Sequence, residues 1–254
     1  MTYSAPSVKK AFRILQTISG SKNGFGISEI ARELKIGKST VHGITAALEE
    51  LGFLVRDPLH KKYQLGYSLL ELSRKFYKGV ALRDTARIPM ERLMERVGES
   101  VFLGVMNGNH VTVLDVVESH HGIKITSPPG TRLSLLAGAI GKVFLAQFEE
   151  KKAKQILQKS GLKRYTSKSV VDSKKYIKEV EETKKKGYAI DDEEYLPGVR
   201  AVAASLQTVS LPPAAIWVVG FTSSFTDQKM EEVILEIRKT AQEINLSLKD
   251  HGRP

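Results

Sequence analysis

The chain has 254 residues, enough for one large domain or two ordinary ones, with 41% hydrophobic and 26% charged side chains, the balance of a water-soluble globular protein. Its longest apolar run, AAIWVVGF at 214–221, falls far short of the ~20 residues a membrane-spanning helix needs. The start MTYSAPSVKK offers no apolar core for a secretory signal, and the lack of cysteine removes disulfide and thiolate chemistry, so cytoplasmic residence without a membrane partner is expected.

Net charge is +11 and unevenly spread. Residues 1–78 hold 13 basic against 6 acidic residues, a net of +7, while the rest of the chain nets only +4. A positive field concentrated on the first third suits a polyanionic partner.

Taken in chain order, Ser7 is placed to cap a first helix to about Ser19, with Val8, Ala11, Phe12, Leu15 and Ile18 on one apolar face. After Gly20 and SKNGFG, Ser28 is placed to cap a second helix through Ile30, Ala31 and Leu34. Lys35-Ile36-Gly37 is a turn, and Lys38 or Ser39 opens a third helix to about Leu51, closed by Gly52. Its apolar positions are Val41, Ile44, Ala47, Leu48 and Leu51. Two strand-like stretches, Phe53-Leu54-Val55 and Lys62-Tyr63-Gln64-Leu65, flank the loop DPLHK. Helix, turn, helix and basic hairpin form the pattern of a winged helix-turn-helix. Tyr67 to about Leu82 reads as one helix with a seam at Leu69, Leu72, Ser73, Phe76 and Val80, either a linker that dimerises or a fourth core helix.

A further helix runs from about Asp84 to Val97, with Ile88, Leu93, Met94 and Val97 inward and Pro89 in its first turn. The period then changes to two. VFLGVM at 101–106 and VTVLDVV at 111–117 surround an Asn107-Gly108 turn, and GIKITSP at 122–128 is a third strand. GAIGKVFLAQF is helical, as are the stretches near 149–159 and from Ser173 to Lys186, the latter closed by Gly187. GYAID, VRAVAASLQ and AAIWVVGF are strands, and Thr226 caps a last helix to about Leu248. Strands bracketed by helices with hairpin connections indicate an α/β (α+β) domain on a mainly antiparallel sheet.

A helix in the major groove needs one face for bases and the opposite face for its own core. With Val41, Ile44 and Leu48 inward, the outward positions near the start of the third helix are Lys38, Ser39, Thr40, His42, Gly43 and Ala46. Hydroxyls and helix N-terminal N–H groups suit phosphate oxygens, His42 can donate to a base or phosphate, and Lys61 and Lys62 on the wing can reach a flanking phosphate. Double-stranded DNA is the expected partner of this segment. One recognition helix covers few base pairs, so at least a dimer on paired half-sites is expected.

SVKKAFRIL, ISEIAREL, GKSTVHGITAALEELGFLVRD and KYQLGYSLLEL resemble the N-terminal domain of IclR-type transcriptional regulators. GESVFLGVMNG, GTRLSLLAGAIGKVFLA, KKKGYAIDDEEYLPGVRAVAA and the closing helix resemble that family's effector-binding domain, in the same order. The resemblance spans nearly the whole chain. It implies a winged helix-turn-helix at 1–66, a linker and dimerisation helix at 67–82, and a GAF-like effector domain at 83–254. It also implies a non-enzymatic, ligand-responsive regulator that assembles as a homodimer or homotetramer, with repression the favoured sign. One departure stands out: the family usually has Arg after the His of STVH, and here Gly43 removes a bidentate contact to guanine.

The run Ala137-Gly138-Ala139-Ile140-Gly141-Lys142 opens a helix whose exposed backbone N–H groups suit a carboxylate, although close helix-to-sheet packing also calls for such small residues. The resemblance implies an organic-acid site formed by backbone groups of Ala139 and Ile140 with Asp191, lined by Ile125, Leu133 and Val199. Where relatives that recognise very small acids carry Cys and two Ser, this chain has Ala201, Trp217 and Val219. Fewer hydrogen-bonding groups and an added aromatic face imply a bulkier, more hydrophobic acid, aromatic acids included, rather than glyoxylate or pyruvate. Asp191 beside an anion is unfavourable unless it accepts a ligand hydroxyl proton or is itself protonated.

No cofactor is expected. The six histidines form no i, i+4 metal pair, and there is no P-loop, GxGxxG or Gly-x-Ser-x-Gly motif. An enzyme would need a nucleophile–base set, which the chain does not assemble. An architectural DNA-binding protein would have a filled C-terminal core and no response to acids.

Overall fold

The computed structural model describes residues 5–75, 78–207 and 212–250. The chain divides into two compact units, Met1–Tyr77 and Lys78–Pro254. The first contains α1 (Pro6–Ser19), α2 (Ile27–Leu34), α3 (Lys38–Glu50), β1 (Leu54–Arg56), β2 (Tyr63–Leu65) and α4 (Ser68–Lys75).

Ile14, Ile18, Ile30, Ala31, Val41, Leu54 and Tyr63 form its core. Ser7 does not cap α1; Pro6 starts that helix after Ala5, because proline's fixed φ and missing N–H fit a first turn. Its apolar face also divides, with Ile14 and Ile18 buried and Val8 and Phe12 exposed. Nor does Ser28 cap α2: Gly26 is the N-cap, and its N–H donates to Glu29 Oε2 at 2.7 Å. Lys35 (φ +54°) makes the left-handed turn into α3, which opens at Lys38 as expected. On α3 the core side is completed by Thr45, whose hydroxyl donates to the His42 carbonyl, whereas Ala47 and Leu51 are exposed.

The wing is a short antiparallel ladder, Leu54↔Leu65 to Arg56↔Tyr63. Asp57 Oδ1 accepts from the N–H groups of Leu59 and His60 and holds its loop. Phe25 pairs with Tyr63, so the loop before α2 joins the wing. The Ser68 hydroxyl donates to the Leu51 carbonyl and anchors the start of α4 on the end of α3. Along the seam expected over 67–82, Leu69 is half-buried and Leu72 exposed; Phe76 and the side chains of Ser73 and Val80 lie outside the described residues.

The second unit contains α5 (Lys78–Val97), β3 (Ser100–Asn107), β4 (His110–Val117), β5 (Arg132–Ser134), α6 (Gly138–Leu145), α7 (Glu150–Ser160), α8 (Ser173–Lys186), β6 (Tyr188–Asp192), β7 (Val199–Leu206), β8 (Ala214–Phe221) and α9 (Asp227–Asp250). The sheet order is β5-β4-β3-β8-β7-β6, with every pair antiparallel. α5 and α9 cover one face, with Leu82, Met90, Leu103, Val202, Ile216 and Ile237 at the centre of that core. α6 and α8 cover the other, around Phe102, Ala139, Phe144, Tyr176, Ala203 and Trp217.

Three expectations are corrected here. Helix α5 begins at Lys78 and carries Pro89 in its interior, because Leu82, Ala86, Met90, Leu93 and Val97 bury one continuous stripe whose packing outweighs the proline penalty; Ile88 points out, 61% exposed. The hairpin loop is Gly108-Asn109, with Asn107 paired to His110 and Gly108 at φ +62°. Residues 122–128 are loop, and the strand beside β4 is Arg132–Ser134. By contrast β8 matches its expected span, and the Thr226 hydroxyl accepts from the Lys229 N–H at the start of α9.

Candidate functional site

At the start of α3, Lys38, Ser39, His42 and Gly43 are exposed and Thr40 is half-buried, while Val41 and Thr45 turn into the core. The helix therefore separates a wet leading face from a dry one within its first two turns. Lys61 stands exposed at the wing tip in a left-handed conformation (φ +58°). Lys62 is half-buried and lies 3.7 Å from Glu29 Oε1. The Gly26 N–H and then Lys62 hold the Glu29 carboxyl below its ordinary pKa, so one carboxylate caps α2 and ties the wing to it. Sequence reading missed this use of Glu29. Arg32 and Lys35 add exposed positive charge beside the turn.

Of the nine residues expected around an effector, the structure brings eight to the α6 side of the sheet. Asp191, Ala201 and Val219 are direct neighbours across β6, β7 and β8, and Ala203, Trp217 and Phe102 form the next row. Strand alternation puts Val199 on the same face as Ala201 and Ala203. Leu133 packs against this core from β5, and Ala139 and Ile140 face it from α6. Ile125 lies half-buried in the loop that follows β4. Ala139, Ile140, Asp191, Ala201 and Trp217 are buried, while Leu133, Val199 and Val219 are half-buried. The Trp217 ring stacks on Phe102, centroids 5.6 Å apart and planes within 6°. It also lies over Gly104, where a β-carbon would meet the indole at 2.7 Å.

The opening of α6 is built around Asp191. Its Oδ1 accepts from the N–H groups of Glu194 at 2.6 Å and Tyr195 at 3.4 Å. Its Oδ2 lies so close to Gly138 (φ +45°) that a β-carbon there would fall 1.8 Å from it. Only glycine satisfies both that contact and that backbone angle. Burial pushes the Asp191 carboxyl up to about 6, opposed by the Glu194 and Tyr195 N–H groups and by Lys142.

Sequence reading also missed the charged cluster beside it. Lys142 of α6 is buried and bonds Glu194 Oε1 at 2.6 Å, Glu179 Oε2 of α8 at 2.7 Å and the Ile190 carbonyl at 3.3 Å. Burial opposes its charge, but the two carboxylates more than offset this and its pKa ends above the lysine norm. Burial raises Glu194 despite Lys142. The Tyr176 hydroxyl, fully buried over Gly141, has no hydrogen-bond partner among the described residues, and burial pushes its pKa well above the ordinary phenol value. The signal for this cluster was present as a lysine inside an otherwise apolar helix, GAIGKVFL.

Comparison with known proteins agrees with this architecture. Residues 7–58 match the IclR helix-turn-helix domain, and residues 75–246 match the bacterial transcriptional regulator IclR C-terminal domain. The HTH-type transcriptional regulator BhcR of Paracoccus denitrificans is 31% identical over 250 residues, covering 97% of this chain and 89% of the relative. The transcriptional repressor IclR of Escherichia coli is 27% identical, with 95% and 89% covered. An IclR homolog from Microbacterium hydrocarbonoxydans, solved in complex with 4-hydroxybenzoate, shares the fold with a TM-score of 0.81 at 20% identity, over 96% of this chain and 99% of that one. Among the described residues no helix is long and apolar enough to cross a membrane. Matched domain by domain along most of its length, the chain belongs to the IclR family of DNA-binding transcriptional regulators, which are not enzymes.

Proposed function

We propose that this regulator is a cytoplasmic homodimer or homotetramer that binds paired operator half-sites through residues 1–66. Residues 67–82 act as the linker, and residues 83–254 sense a small organic acid. The observation that carries the DNA reading is the split character of α3, exposed at Lys38, Ser39, His42 and Gly43 and buried at Val41 and Thr45. With Thr40, those groups and Lys61 meet the duplex. Lys62 contributes by fixing the wing to Glu29 as well as by its charge. Without an arginine at position 43, affinity rests chiefly on phosphate contacts. Exposed Val8, Phe12, Tyr67, Leu70 and Leu72 supply apolar surface for self-association.

The effector reading rests on the row Asp191–Ala201–Val219 beneath the opening of α6, with Trp217 in the next row. A carboxylate docks at the backbone of Ala139 and Ile140, and an apolar or aromatic body displaces the half-buried Leu133 and Val219 to reach Trp217, with Ile125 and Val199 at the margin. The resulting shift between two arrangements of paired DNA-binding units relieves repression. The decisive experiment is a thermal-shift screen of 4-hydroxybenzoate, benzoate, glyoxylate and pyruvate, followed by gel shifts on DNA upstream of the protein's own gene. Aromatic acids should raise the melting temperature, quench Trp217 fluorescence and release the DNA. Tight binding of pyruvate with no response to either aromatic acid defeats the proposed ligand class. Failure to retain any specific DNA at low salt defeats the DNA reading.

A further inference from the structure

We propose that an organic acid enters this site together with one proton, taken up by Asp191 on Oδ2, so that ligand and protein meet as a carboxylate and a carboxylic acid. The inference rests on the effector reading and goes beyond it, because it fixes the protonation chemistry of binding.

The geometry requires it through charge and donor accounting. Three carboxylates face this corner of the sheet: Asp191 of β6, Glu194 of the following turn and Glu179 of α8. Lys142 of α6 is the cation bonded to Glu179 and Glu194, and Lys175 of α8 acts on Glu194 through charge alone. The three Lys142 N–H groups match three acceptors already present: Glu179, Glu194 and the Ile190 carbonyl. No Lys142 N–H remains for an incoming anion, and no hydrogen bond joins Lys175 to Asp191 among the described residues. Asp192 and Glu193 are held elsewhere by Arg200 and Lys168. Of the phenols nearby, burial raises the pKa of Tyr176 and Tyr195, which keeps both neutral, and Tyr165 meets Tyr195 edge-on.

A ligand carboxylate would thus add a fourth negative charge against the bonded Lys142, the more remote Lys175 and the partial positive charge of the α6 N-terminus. Protonating Asp191 removes one of those charges and supplies a donor. The position of the proton is also determined. Oδ1 is occupied by two backbone N–H groups, whereas Oδ2 has no hydrogen-bond partner among the described residues and lies at Gly138, beside the N–H groups assigned to the ligand. Burial already holds this carboxyl near 6, so the proton needed at neutral pH is close at hand. Above that value binding takes up a proton, and affinity falls toward about tenfold per pH unit; below it Asp191 is already protonated and affinity levels off.

Calorimetry of the full-length protein with 4-hydroxybenzoate and with benzoate, near pH 7.5 in phosphate and in Tris, tests this directly. The wild type should take up close to one proton per bound acid. Asp191→Asn, whose Oδ1 can still accept from Glu194 and Tyr195, should take up none and should bind with an affinity flat in pH. Buffer-independent enthalpy with flat affinity in the wild type, or an unchanged slope in Asp191→Asn, overturns the proposal. A ligand-free arm separates this from the effector reading. The melting curves of the two proteins should diverge in favour of the asparagine variant between about pH 4 and 6 and run parallel above. Curves parallel throughout show that burial does not raise the Asp191 carboxyl in the free protein and overturn the proposal as argued whether or not any acid binds, whereas failure of every acid to bind refutes the effector reading alone.

Discussion

A glycine stands at position 43 in the second turn of α3, exposed, with no atom within 4 Å of where its β-carbon would point. Nothing in the fold demands it. Gly43→Ala should therefore stabilise the first unit by about 1 kcal/mol, read as a higher denaturant midpoint. Gly43→Arg should fit equally well and add a guanidinium on the face proposed to meet DNA, tightening binding to sites with guanine at the facing position; an unchanged sequence preference would place residue 43 away from the bases. Gly138 is the opposite case. Its positive φ and the Asp191 carboxylate leave no room, so Gly138→Ala should cost roughly 1–3 kcal/mol in urea unfolding. Asp191 itself imposes a pH dependence. Its folded pKa lies above the unfolded value, so the stability it contributes is complete below about pH 4 and is lost as pH rises to about 6. At this scale the sequence showed which residue types were unusual, but not their partners. Glu29, Thr45 and Glu194 carry no local pattern that announces a cap, a core contact or an ion pair across 52 residues.

Among the elements, those with strong periodicity were legible and those set by tertiary context were not. β4 alternates strictly in burial, and β8 is a solid apolar run; both were readable within a residue or so. β5 has only three residues and forms because β4 offers an edge, so its own sequence could not reveal it. α5 defied local rules for the same reason. Its proline sits in a helix whose inner stripe packs on α9 and the sheet, and Arg92–Glu243 and Arg96–Glu236 tie the two helices along their rims. Arg83 and Arg87 add a second attachment, gripping the buried Asp115 carboxylate of β4 at 3.3 Å each. Lys142 plays the equivalent part between α6, α8 and the turn after β6. Lys142→Met should leave Glu179 and Glu194 without a counter-ion and cost roughly 3–5 kcal/mol. A midpoint within experimental error of the wild type would show that water replaces the ammonium.

For the molecule as a whole, charge asymmetry was the most reliable large-scale signal, because it needs no structure to compute and it fell on the unit that carries the helix-turn-helix. It predicts steep salt dependence. If a dimer neutralises six to ten phosphates, DNA affinity should fall about 10³–10⁵-fold between 50 and 200 mM salt, whereas acid binding to the second unit should change far less. Equal sensitivity of both would show that the two activities are not separated by domain. The order of the sheet has a consequence for how the chain is made. β3 pairs with β8, more than a hundred residues later, and α9 completes the core beneath them. The second unit therefore cannot close until almost the entire chain has left the ribosome, while the first is complete after some seventy residues. For part of every round of synthesis the cell holds a nascent chain able to grip DNA but not yet able to be told to let go, and a premature stop before residue 214 would make that condition permanent.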